Sequence, residues 1–201
     1  MSRTSRKADA RRDEILKGAA ACINEKGVRA TGVADICERV GISPGHLYYY
    51  FKSKEAIVLA LLEQFNAQSR TEQEEIADRP DGLDYLLSTE FFERNRRTPA
   101  GQFETAVLWE LYGEASRSPG PVPDMLKQHW TDGQLMARRV LEAAKTAGRL
   151  RPDADVEVML IHLNMFLVTA QLASLVEPDF SLERYQRTVW AALEPYLVAP
   201  A

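Results

Sequence analysis

The chain has 201 residues, with 25 Lys+Arg against 29 Asp+Glu for a net charge of −4, and 45% hydrophobic residues. That length buries a real core in one or two compact units. Cys22 and Cys37 have neither C-x-x-C nor Cys/His ligand spacing, which excludes a disulfide framework and a structural zinc; buried thiols are expected, with no metal and no cofactor. The lack of an apolar run near 20 residues and of a signal-peptide core points to a cytoplasmic protein with no membrane partner.

Net charge alone argues against nucleic-acid binding, but its distribution along the chain argues the other way. Residues 1–54 hold 11 Lys+Arg and 6 Asp+Glu, net +5; the remainder holds 14 and 23, net −9. A basic first quarter on an acidic body localises the attraction for phosphate. Arg3, Arg6, Lys7, Arg11 and Arg12 form the densest basic run, expected as a disordered arm along a DNA backbone ahead of the first helix.

A first helix is predicted on Ile15, Leu16, Ala19 and Ile23. Val33, Ile36, Cys37 and Val40 then fall at i, i+3, i+4 and i+7, one apolar stripe on a short second helix. Gly41 follows the last stripe residue, where a left-handed cap costs glycine little. Ser43 and Pro44 restart the chain as an N-cap followed by proline at the first helical position. Leu47 and Phe51, four apart, mark the inner side of this third helix.

On a wheel of about 100° per residue, Gly45, His46 and Tyr49 then face away from the core, with Tyr48 and Tyr50 on the flanks. Two short helices joined by a glycine turn, the second with three consecutive tyrosines, have the layout of a helix-turn-helix. Tyrosine hydroxyls beside Lys52 and Lys54 suit a phosphate backbone, while Gly45 and His46 are placed to approach base edges.

Residues 11–55 resemble the DNA-binding domain of the tetracycline-repressor (TetR) family of bacterial transcription regulators. The resemblance rests on Ile15, Leu16, Ala19, Ile23, Gly27, Thr31, Val33, Asp35-Ile36, Gly41-Ile42-Ser43, Leu47-Tyr48 and Phe51-Lys52-Ser53-Lys54-Glu55. It implies that Ser43, Pro44, Gly45, His46, Tyr48, Tyr49 and Tyr50 face DNA, that Lys54 holds a phosphate, and that Thr31 lies near the backbone. Gly32 and Ala34 stand where the family commonly has Ser or Thr and Arg. Glycine still caps, so a missing base contact from the second helix is the expected consequence. The implied domains are a helix-turn-helix domain at 1–53 and an effector-binding and dimerisation domain at 54–201.

The remainder reads as helix throughout. A fourth helix from Lys54 to Ala77 ends at Arg79-Pro80-Asp81-Gly82. Further helices are expected from Leu83 to about Arg97, from Gln102 to about Ala115, from Pro123 to Ala147 with Gly133 as a place to bend, from Ala154 to Val176, and from Ser181 to Leu197. The expected architecture is all-α with about nine helices. Ala154–Val176 has almost no polar face and must be covered on every side, which calls for a second subunit. The family resemblance implies the same homodimer.

Phe103, Glu104, Leu108, Trp109 and Tyr112, with Trp130, His162 and Phe166, are candidates for a pocket holding a small-molecule effector. An inward Glu104 or Glu110 beside Trp109 or Tyr112 would suit a cation. The expected function is a homodimeric repressor of a palindromic operator on double-stranded DNA. The alternative is an architectural or division-related DNA binder whose body recognises a protein. No nucleophile–base pair, metal set or phosphate loop supports an enzyme, and no catalytic residue is assigned.

Overall fold

The computed structural model describes residues 3–96, 105–117 and 119–198. Ten α-helices occur among them: α1 (Arg3–Lys26), α2 (Val33–Val40), α3 (Pro44–Tyr50), α4 (Lys54–Ala77), α5 (Gly82–Leu86), α6 (Thr89–Arg96), α7 (Thr105–Ala115), α8 (Pro121–Thr146), α9 (Val156–Val176) and α10 (Leu182–Leu193). They divide between two compact units. One comprises residues 1–68 and 98–128, the other 69–97 and 129–201, so α4 and α8 each contribute to both.

The first unit is built on the amphipathic faces of α1 to α3. Ile15, Leu16, Ile23, Ile36 and Leu47 are all essentially inaccessible to solvent, and Ile57 and Leu61 of α4 close the same core. Burying each such side chain contributes roughly 1.5–3 kcal/mol. Val107 and Leu111 of α7 and Leu126 of α8 belong to this core too. The basic run at the start is not an unstructured arm: α1 is already helical at Arg3. No Gly or Pro lies between residues 3 and 17, and Ala8 and Ala10 favour the helix, so no breaker stops it.

In the second unit, the helix expected over 83–97 is two. Ser88 separates α5 from α6: its hydroxyl donates to the Tyr85 carbonyl at 2.7 Å and accepts the Phe91 amide at 3.0 Å. That hydroxyl ends one helix and caps the next. By contrast, α8 runs through Gly133 unbroken. It ends at Gly148, whose φ of +71° lets the Arg149 amide fold back onto the Ala144 carbonyl at 2.9 Å. Asp155 caps α9 by accepting the Glu157 and Val158 amides, and Ser181 caps α10 through the Arg184 amide. Pro195 converts the expected end of α10 into a 3₁₀ turn, after which Leu197 pairs with Leu150 in a single antiparallel bridge.

At 21 residues, α9 is long and apolar enough to cross a membrane by length and composition, contrary to the expectation that no run comes close. Its packing gives it another role. Met159, Leu160, Leu163, Phe166, Ala170 and Ala173 are buried in the second unit's core. Its other side leaves Ile161, Met165, Leu172, Leu175 and Val176 exposed, Met165 by 62% and Val176 by 75%. Gln134 of α8 and Asn164 of α9 lock the two helices in register with reciprocal amide bonds of 2.8 and 2.7 Å.

Candidate nucleic-acid interface

Local capping sets the pose of α3. Gly41 has φ +69° and ends α2, with the Ile42 amide returning to the Cys37 carbonyl at 3.0 Å. Ser43 then accepts the His46 amide at 3.3 Å and Pro44 opens the helix. Leu47 is fully buried and Phe51 nearly so, with the Arg12 guanidinium 4.8 Å above the Phe51 ring. These anchors fix which side of α3 remains outside.

That outer side carries Ser43, Pro44, Gly45, His46, Tyr48 and Tyr49, all exposed, Tyr48 by 45% and Tyr49 by 75%. Tyr50 is half-buried against the core. Its ring lies 5.5 Å from His46 and 5.1 Å edge-on from Tyr49. The contacts limit the rotamers of the two outermost side chains, which lowers the entropy lost on binding. A Cβ added at Gly45 would meet nothing within 4 Å, so the surface beside His46 is open to close approach. A phenol bonds phosphate oxygens and an imidazole bonds base edges, a combination suited to a DNA groove.

Two expected contact residues have other work. Thr31 is buried, and its hydroxyl faces the Cys22 carbonyl at 3.1 Å and the Gly27 carbonyl at 2.7 Å. It closes the end of α1 instead of facing a phosphate. The Lys54 ammonium meets three carbonyls, Val28 at 2.9 Å, Arg29 at 3.4 Å and Thr31 at 3.0 Å. The ammonium therefore braces this loop, with two of its contacts at ordinary hydrogen-bond length.

The loop that Lys54 grips is also held from its amide side. The Glu110 carboxylate of α7 accepts the Val28 amide at 2.9 Å and the Arg29 amide at 3.0 Å. One turn on, Glu114 pairs with Arg29 at 3.3 Å. Glu110 therefore does not serve an aromatic pocket; it anchors the segment between α1 and α2. At the start of α2, Asp35 accepts the Gly32 amide at 2.6 Å and the Lys26 ammonium at 2.5 Å. The Lys26 hydrogen bond, then the Gly32 amide, hold the Asp35 carboxyl below its ordinary range. This bond back to the Gly32 amide compensates for the missing Ser or Thr cap.

The expected effector residues are divided between the two units. Phe103 and Glu104 lie outside the described residues. Leu108, Trp109 and Tyr112 belong to the first unit, where Leu108 and Tyr112 pack on its core and the Tyr112 hydroxyl donates to the Leu126 carbonyl at 3.3 Å. Burial pushes that phenol up to about 12, so it stays protonated. Trp130, His162 and Phe166 belong to the second unit. Phe166 is core, Trp130 is half exposed, and the His162 Nδ1 lies 2.8 Å from its own helix carbonyl at Val158.

Residues 15–61 match the family described as bacterial regulatory proteins, tetR family, and residues 107–189 match the tetracyclin repressor-like C-terminal domain. The HTH-type transcriptional repressor KstR2 of Mycobacterium tuberculosis is 32% identical over 174 residues, 79% of this chain and 78% of the relative. The HTH-type transcriptional regulator UidR of Escherichia coli K12 is 27% identical over 183 residues, 91% of this chain and 90% of the relative. In fold, the chain is similar to a transcriptional regulator from Saccharomonospora viridis crystallised with choline, at a TM-score of 0.79 and 20% identity, covering 94% of this chain and 98% of the other. With its helix-turn-helix in place and both regions matched, the chain belongs to the TetR family of bacterial transcription regulators.

Proposed function

We propose that the protein is a homodimeric repressor that binds a palindromic operator and leaves it when a small-molecule effector binds. One observation carries the DNA half of this reading: α3 is sealed underneath by Leu47 and Phe51 and offers His46, Tyr48 and Tyr49 to solvent. Large aromatics are rarely left exposed together on one short helix unless the surface has a partner. The naming of KstR2 as a repressor supports the sign of regulation. The choline complex of the structural neighbour supports a small-molecule effector.

The dimer half rests on α9. Ile161, Met165, Leu172 and Leu175 recur along one exposed side at helical spacing, a seam that a second copy of α9 would cover. Two copies present two α3 helices, matching two half-sites about one helical turn apart. The test is fluorescence anisotropy on an operator selected from random duplexes. His46→Ala and Tyr49→Ala should each weaken binding about tenfold or more while leaving thermal stability unchanged. Unchanged affinity in both variants would remove α3 as the reading element.

A further inference from the structure

Beside the gripped loop, the first unit contains a cavity of about 310 Å³. Its walls come from the segment between α1 and α2, the first turns of α4, the end of α7 and the residues leading into α8. Val28, Val58 and Leu111 are buried apolar members of its lining, joined by the half-buried Val122. A volume of this order accepts a compact organic molecule.

Its charged lining differs in how firmly each group is held. Lys54, Arg29, Glu55 and Glu114 all border the space. Lys54 keeps its charge, but its donors are directed at three backbone carbonyls. Arg29 is 75% exposed and touches Glu114 through one nitrogen at 3.3 Å. Such an exposed pair exchanges readily for a better one. Glu114 is thus free to exchange Arg29 for a better cationic partner, with Glu55 also on the lining.

We propose that this cavity binds a compact organic cation, whose ammonium pairs with Glu114 while its apolar body covers Val58, Leu111 and Val122. The occupant takes Glu114 from Arg29, on the same loop that Glu110 and Lys54 fix. Binding is thereby linked to the pose of α2 and α3. The link to operator release rests on the effector-controlled function proposed above; the binding site does not.

The test uses the full chain without DNA, titrated with 2-phenylethylammonium by calorimetry and by amide-resolved NMR. Phenylacetate and 2-phenylethanol serve as the anionic and neutral counterparts. Saturable binding of the cation is expected, at least about tenfold tighter than either counterpart and weakened about tenfold by Glu114→Gln. Val122→Phe, which fills the space without touching charge, should also weaken it. No saturable binding, equal binding of phenylacetate, or insensitivity to both substitutions would overturn the site. A parallel operator titration separates the site from the release mechanism. Cation binding with unchanged operator affinity upholds the site and refutes effector release through it. Release that persists in both variants refutes the site.

Discussion

Lys54, expected to hold a phosphate, also braces the loop beside it. With its ammonium on the carbonyls of Val28, Arg29 and Thr31, Lys54→Met leaves those acceptors short of a donor. The variant should lose about 1–3 kcal/mol of stability in urea unfolding. A residue serving only phosphate would lower operator affinity at unchanged stability. His129 gives a second test at this scale. Burial pushes its imidazole down to about 4, with Asp132 drawing it partly back. Between that value and the ordinary one of about 6.5, the unfolded chain binds the proton more readily, so stability is full above this window and falls as pH drops through it. The thermal midpoint should fall between pH 7 and 5, and His129→Gln should flatten the fall. An identical slope in the variant would show that His129 is not its source.

Caps decide where the helices begin and end, and much of the reading head was legible because caps are local. Gly41, Ser43 and Pro44 lie within four residues of one another and announce the turn; Leu47 and Phe51 name the buried side by spacing alone. Gly41→Ala tests the first of these. A Cβ there meets nothing within 4 Å, so the cost is purely that of holding a φ of +69°, about 1–2 kcal/mol. A loss near zero would mean that α2 can end another way. Ser88, a hydroxyl three residues before Phe91, was an equally local signal, and the apolar spacing of Leu83, Leu86, Leu87 and Phe91 hid it. What the sequence could not disclose is the bracing of the loop after α1. Glu110 lies 82 residues from Val28, and Lys54 lies 26 away. No periodicity connects groups so distant; only the packing of α7 and α4 in one unit brings them to the same peptide bonds.

Over the whole molecule, the proposed homodimer would bring two basic reading heads together through the uncovered seam on α9. Met165→Glu with Leu172→Glu places charge on that seam without entering the buried side of α9. Sedimentation should turn a dimer into a folded monomer, with operator affinity falling by at least about tenfold as the second head is lost. Retention of the dimer would place the interface elsewhere. The most direct test of α3 as the DNA-reading element of a dimer is a hydroxyl-radical footprint of the full chain on its selected operator. Two protected patches are expected on one face of the duplex, about one helical turn apart, both lost in the His46→Ala, Tyr49→Ala double variant. A single patch, or protection that survives the double variant, would contradict that assignment.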